Sequence, residues 1–206
     1  MLDEPAPLCS GRARSDTIAA VSGGERKSPE LRELFAARAV EERIGAMAAE
    51  LARALGRGGE PLLVVIAEGA RRFAAALAAR LAALGLRADE TVVRARRSAG
   101  LELRPVELGE LEPAQFAGRD VVVVDDIADE GRTLEAVCAR VRAGAPRSLR
   151  TAVLVSKLSR RRVPLQLDHV GFEVARGWVV GFGMDLDGAL RELDWIGVVK
   201  GTEERE

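Results

Sequence analysis

Apolar residues along the 206-residue chain fall into two kinds of pattern, one helical and one extended. Leu34, Ile44, Met47, Leu51 and Leu55 recur at helical spacing, which predicts an amphipathic helix over 30–55 that ends at the glycine-rich 56–59. The β-branched run over 62–66 predicts a short buried strand. Ala67, Glu68 and Gly69 form a turn, and an alanine-rich helix follows over 70–84, closed by Gly85. A second strand is predicted over 91–95, while 96–113 has neither period and is read in part as a long loop. An apolar run over 121–125 then leads through a polar turn into a helix over 133–143, with a further strand over 151–155. After that the pattern shortens into strands near 170–174, 179–182 and 196–199, separated by turns.

Strand and helix alternate from 62 to 155, which predicts an α/β fold with a mainly parallel, twisted sheet covered by helices on both faces. The C-terminal part predicts a small β-rich hood on that sheet. Residues 1–29 are rich in Ser, Gly, Pro and charge without a period, so a mobile extension is expected there. That leaves 30–200 as a single domain and 201–206 as a tail.

Composition narrows the classes. Hydrophobic residues are 48% and charged residues 31%, ordinary for a globular protein with a full core. The formal net charge of −1 supplies no basic field, so no nucleic-acid partner is expected, although Arg160, Arg161 and Arg162 form a basic run. No apolar run approaches the ~20 residues of a membrane span, and 1–5 does not open a signal peptide. Cys9 and Cys138 are far apart; no disulfide is expected, Cys138 reads as a buried small hydrophobe, and a reducing cytoplasm fits. The single histidine, His169, excludes a His-rich metal site and is read as structural.

The chemistry concentrates in one stretch. The strand Val121–Val124 ends in Asp125 and Asp126; Ile127, Ala128, Asp129, Glu130, Gly131 and Arg132 follow, and Thr133 opens a helix. Ligands of open α/β sheets sit outside the carboxyl ends of the strands. A helix start offers backbone N–H groups and a positive dipole end to a phosphate. Adjacent acids suit a sugar diol or a magnesium ion, which takes oxygen ligands and substrate phosphates. One loop could therefore hold a phosphorylated sugar. Elsewhere the bland readings are open: Lys157 alone reads as a surface lysine, Trp178 as core or interface, and Asp185 with Arg191 as a surface ion pair.

Read together, these residues resemble the type I phosphoribosyltransferases. The stretch 121–134 is similar to their phosphoribosyl pyrophosphate loop. Lys157, the segment 168–174, Trp178 with Val179, Asp185, Arg191 and finally Trp195–Val198 follow in family order and resemble the hypoxanthine-guanine branch. The similarity runs from about Leu34 to Val199. It implies the type I phosphoribosyltransferase fold and transfer of a 5-phosphoribosyl group to a 6-oxopurine, giving a nucleoside monophosphate and pyrophosphate in purine salvage.

The resemblance also implies roles. Asp129 is the general base near N7 of the purine. Asp125 and Asp126 engage the ribose hydroxyls, directly or through Mg2+. The backbone of Glu130, Gly131, Arg132 and Thr133, with the Thr133 hydroxyl, cradles the 5′-phosphate. Lys157 donates to O6, Trp178 stacks on the base, and the Val179 backbone pairs with its edge. Asp185 holds magnesium and pyrophosphate, Arg191 contacts pyrophosphate, and Glu68 with Gly69 forms the pyrophosphate turn. A cytoplasmic homodimer or homotetramer is implied.

Three departures stand out. The family usually has Thr after the catalytic acid, and here Glu130 follows Asp129. Its pyrophosphate turn usually reads Leu-Lys-Gly, and here it reads Ala67-Glu68-Gly69. A Ser-Tyr pair usually marks the mobile lid, whereas 94–104 offers Arg94, Arg96, Arg97 and Ser98. An acid ~6 Å from a phosphate costs roughly 3 kcal/mol at an effective dielectric of ~20. Arg132 could offset Glu130, and Arg71 or Arg72 could offset Glu68. These acids leave a second reading open, in which the chain is a divergent or inactive relative that acts on another base or senses nucleotides.

Overall fold

The computed structural model describes residues 29–56, 59–96, 106–157 and 162–202. The expected extension over 1–28, most of the lid segment (97–104), Arg160 with Arg161, Cys9 and the last four residues lie outside the described residues.

A six-stranded sheet carries the fold, in the order β4-β3-β2-β5-β6-β7. Its strands are β2 (Leu62–Ala67), β3 (Asp89–Arg96), β4 (Glu107–Leu108), β5 (Asp120–Ala128), β6 (Ser148–Lys157) and β7 (His169–Val174). β3, β2, β5, β6 and β7 run parallel, and only β4 pairs antiparallel, at the edge. The apolar runs make the centre because both faces are covered. Leu63, Val65, Val122, Val124 and Leu154 face α1 (Ala37–Leu55) and α2 (Ala70–Ala83). Leu62, Val64, Val121, Val123 and Val153 face α3 (Arg132–Arg142) and the 3-10 turn Pro113–Phe116. Side chains alternate across a strand, so a buried central strand reads as continuous apolar sequence while feeding two separate cores.

A second sheet, three-stranded and antiparallel, forms the hood in the order β1-β9-β8. β8 (Val179–Val180) and β9 (Ile196–Val199) come from the C-terminal part, but β1 (Leu31–Phe35) comes from the start of the described chain. This corrects the expected helix over 30–55, which begins only at Ala37. Leu31, Leu34 and Phe35 satisfy a helical spacing, yet Leu31 pairs with Val199 and Phe35 with Ile196. A partner so distant in sequence leaves no local trace. The Phe35 ring also stacks on Phe172 of β7, centroids 4.0 Å apart, tying hood to main sheet.

The remaining elements match their patterns with shifted ends. β5 runs three residues past the expected end at 125, and carries both acids within its carboxyl-terminal part. β6 starts three residues earlier and reaches Lys157. α1 ends at Gly56, whose positive φ of 76° is open to glycine and disfavoured for other residues.

Candidate active site

The strand order reverses direction at β2, whose parallel neighbours are β3 on one side and β5 on the other. Loops leaving the carboxyl ends of β2 and β5 therefore diverge from one crevice, where open sheets bind ligands. The turn 67–69 and the loop 128–131 meet there. A Cβ on Gly69 would overlap the Asp126 carboxylate, and one on Gly183 (φ 103°) would overlap the Gly69 carbonyl. Glycine at both positions is what lets three segments close on one another. The Ala67–Glu68 peptide is cis.

Two cavities open side by side in this crevice. One of about 180 Å³ is lined by Ile66, Ala67, Ala95, Asp125, Asp129, Gly131 and Thr133, among others. Its floor is the N-terminus of α3, where Gly131 takes a left-handed φ of 85° and Thr133 lies in the first turn. The other, of about 240 Å³, is lined by Asp126, Asp129, Lys157, Trp178, Val179, Met184 and Asp185, with Ile127. Asp129 and Ile127 line both.

The second cavity has a donor and an acceptor side by side. Lys157 Nζ, on a side chain only 4% exposed at the end of β6, lies 3.9 Å from Asp129 Oδ2. Trp178 is 47% exposed and stands at the mouth. Its Nε1 donates to the Asp185 carbonyl at 2.9 Å, which fixes the indole plane. Asp185 is braced at both oxygens: Arg191 Nη2 pairs with Oδ1 at 2.6 Å, and the Gly188 N–H donates to Oδ2 at 2.6 Å. Arg191 Nη1 also donates to the Gly183 carbonyl at 2.7 Å. Behind them, Arg72 lies over the Phe182 ring, donates to the Leu193 carbonyl at 3.0 Å and pairs with Asp194, anchoring the 181–194 segment to α2.

The paired acids differ. Asp125 is 6% exposed, and its Oδ1 accepts the Asp126 backbone N–H at 3.1 Å. Burial pushes the Asp126 carboxyl above the usual range; hydrogen bonding with Asp125, backbone N–H groups and the charge of Arg191 oppose the rise without overcoming it.

The two departing acids are both engaged by arginine. Glu130 Oε2 lies 3.4 Å from Arg132 Nε, and the Glu130 carbonyl accepts the Arg162 backbone N–H at 3.0 Å. Glu68 Oε2 accepts Arg71 Nε at 2.9 Å, and Oε1 lies 3.4 Å from Arg94 Nε. Arg72 does not serve Glu68; the partner that sequence reasoning missed is Arg94. The parallel register sets Arg94 opposite Ala67, a signal that appears only once β2 and β3 are paired. Met184 and Ile127 were also missed as cavity-lining residues.

Among the expected site residues, Asp125, Asp129, Gly131 and Thr133 share the first cavity, and Asp126, Asp129, Lys157, Trp178, Val179 and Asp185 share the second. Arg191, Gly69, Glu68, Glu130 and Arg132 adjoin the cavities without lining them: Arg191 pairs with Asp185, Gly69 closes on Asp126, and Glu68 and Glu130 pair with arginines. His169 is away from both: it is buried, and its Nδ1 lies 3.4 Å from Glu50 Oε2.

Comparison with known proteins matches residues 30–187 to the phosphoribosyl transferase domain. The hypoxanthine-guanine phosphoribosyltransferase of Mycobacterium avium is 31% identical over 167 residues, covering 77% of this chain and 82% of that protein. The bifunctional protein TilS/HprT of Listeria monocytogenes is 32% identical over 143 residues, or 69% of this chain but 22% of its own length. Among solved structures, the hypoxanthine phosphoribosyl transferase of Trypanosoma cruzi superposes with a TM-score of 0.77 at 28% identity, covering 86% of this chain and 95% of that one. With its domain matched over most of its length, its sheet order and its crevice, the chain belongs to the phosphoribosyltransferase family.

Proposed function

We propose that this protein transfers the 5-phosphoribosyl group of phosphoribosyl pyrophosphate to hypoxanthine or guanine, giving IMP or GMP and pyrophosphate, in purine salvage. The observation that carries the reading is the pair of adjoining cavities with Asp129 in their common wall. One has the anion-binding end of a helix, the other a lysine and an aromatic face. A 6-oxopurine presents O6 and the N7–H side by side. Lys157 Nζ and Asp129 Oδ2, 3.9 Å apart, supply the matching donor and acceptor.

Each residue then has a step. Asp129 takes the proton from N7 as N9 bonds to C1′ of the ribose and pyrophosphate leaves from the same carbon. Lys157 holds O6 and stabilises the negative charge that loss of the N7 proton places on the base. Adenine would set its amino donors against the Lys157 donors, which disfavours it by about hundredfold or more. Trp178 stacks on the base for roughly 1–3 kcal/mol, by analogy with other base–aromatic contacts. The Val179 backbone meets the purine edge. The amides from Glu130 to Thr133, with the Thr133 hydroxyl, hold the 5′-phosphate at the α3 N-terminus. Asp125 and Asp126 hold the ribose diol, and Arg191 with the turn at Glu68 and Gly69 receives the pyrophosphate.

The site fits magnesium of one kind. Among the described residues no group of three or more His, Cys, Asp or Glu side chains is placed to cage an ion. Magnesium keeps several waters and binds through one or two carboxylates plus substrate phosphates, so one or two of Asp185, Asp125 and Asp126 would hold an ion that arrives with the pyrophosphate. When bound, it neutralises charge developing on the leaving group. Residues 30–200 would form the catalytic domain, and a cytoplasmic homodimer or homotetramer completes the reading. No helix among the described residues is long and apolar enough to cross a membrane.

Turnover with phosphoribosyl pyrophosphate, magnesium and each of hypoxanthine, guanine, xanthine and adenine tests the proposal. Nucleotide from hypoxanthine or guanine, and none from adenine, is expected. Equal use of adenine, or no turnover with any base, contradicts it.

A further inference from the structure

The turn after β2 carries an acid where an anion is expected to bind, and the surroundings of that acid change its meaning. Glu68 is gripped by two arginines from different elements: Arg71 in the first turn of α2 and Arg94 near the end of β3. Both approach through Nε. A guanidinium has five N–H donors in a planar fork, so each arginine uses one on Glu68 and keeps a face suited to a bidentate oxyanion. The hydrogen bond from Arg71 holds the Glu68 carboxyl below the usual carboxylate range, so the trio is one anion between two cations. Its net charge is that of the single lysine usual in this turn. Its neighbours Ala67 and Ala95 line the same cavity as Asp125, Gly131 and Thr133. Gly69 closes against Asp126 on the other side of the turn.

We infer that Glu68 is a positioning residue that holds Arg94 and Arg71 at the rim of the donor cavity, so that the cations meeting the diphosphate come from β3 and α2 and not from the turn. Exposed ion pairs contribute little to stability, and these side chains are 48% to 70% exposed. Their arrangement acts on ligand placement. An acid acting as an electrostatic liability would behave in the opposite way, since its removal would strengthen anion binding.

The inference rests on the transferase reading, but its test does not need turnover. Calorimetric titration with magnesium pyrophosphate is run on the wild-type protein and on Glu68→Gln, Arg94→Gln and the double variant, beside the KM for phosphoribosyl pyrophosphate and for the purine. Arg94→Gln is expected to weaken pyrophosphate binding about tenfold and Glu68→Gln about threefold, while the double variant stays within about twofold of Arg94→Gln alone. The purine KM and the thermal midpoint should not move. Arg94→Lys, which restores charge without the planar fork, should recover part of the affinity. Tighter or unchanged binding in Glu68→Gln, or additive losses in the double variant, would overturn the inference. Absence of turnover in the wild type would count against the transferase reading alone, since the titration still reports on the trio.

Discussion

At the scale of single residues, the site works by close approach. Gly69 and the Asp126 carboxylate occupy space that a single methyl group would contest. Gly69→Ala should therefore raise the KM for phosphoribosyl pyrophosphate about tenfold or more while shifting the thermal midpoint only slightly, because the turn lies outside the core. An unchanged KM would show that the turn has room to move. Cys138 is the opposite case, a side chain with no access: burial pushes its thiol up to about 12. With Cys9 replaced by Ser, the native protein should resist alkylation at neutral pH and react only on unfolding; rapid labelling of the native state would contradict this burial. The acids and the helix start from Asp125 to Thr133 were legible because they are contiguous, and strand, loop and helix start each leave a local mark. The role of Arg94 was not legible, because it depends on which residue of β2 stands opposite it.

At the scale of elements, the sheet's central strands could be read from their β-branched runs, while β1 could not. Its five residues gain their conformation from β9 and from the Phe35–Phe172 stack, both distant in sequence. Phe35→Ala should cost about 1–2 kcal/mol for a half-buried ring, and Phe172→Ala added to it should cost less than its own single loss. Denaturant unfolding of the two single variants and the double checks this; strict additivity would mean the rings do not support each other. The other joint lies at the base of β5 and β6. Asp120 and Ser148 are paired in register, and the Asp120 carboxylate accepts from Ser148 Oγ at 2.7 Å and from Arg147 Nε at 3.0 Å. This joint is at the amino ends of the strands, opposite the site, so Asp120→Ala should lower stability by about 1–2 kcal/mol, discounted for the exposed Arg147, and leave the purine KM unchanged.

At the scale of the whole molecule, stability is coupled to acid through carboxylates held away from the crevice. The hydrogen bond from Arg147 lowers the Asp120 pKa, and that from Arg43, helped by His169, lowers the Glu50 pKa. A carboxyl with a lowered native pKa stabilises the fold fully above its unfolded pKa, about 4, and that contribution disappears as pH falls through the lower native value. These two groups should thus contribute equally from pH 7 to about 5 and lose their contribution below about 4, so Asp120→Asn with Glu50→Gln should flatten the acid drop in the thermal midpoint. An unaltered acid limb in that double variant would contradict the assignment. Near neutrality the fold is fixed, and the proposed chemistry turns on the two adjoining cavities. Asp129, which lines both, decides between an enzyme and a nucleotide sensor built on the same scaffold. The direct measurement is turnover of Asp129→Asn with phosphoribosyl pyrophosphate, magnesium and hypoxanthine, alongside its affinity for IMP. A fall in kcat of about 10²-fold or more with IMP affinity kept is the predicted result, the size expected of a lost general base. Turnover equal to that of the wild type would contradict the account.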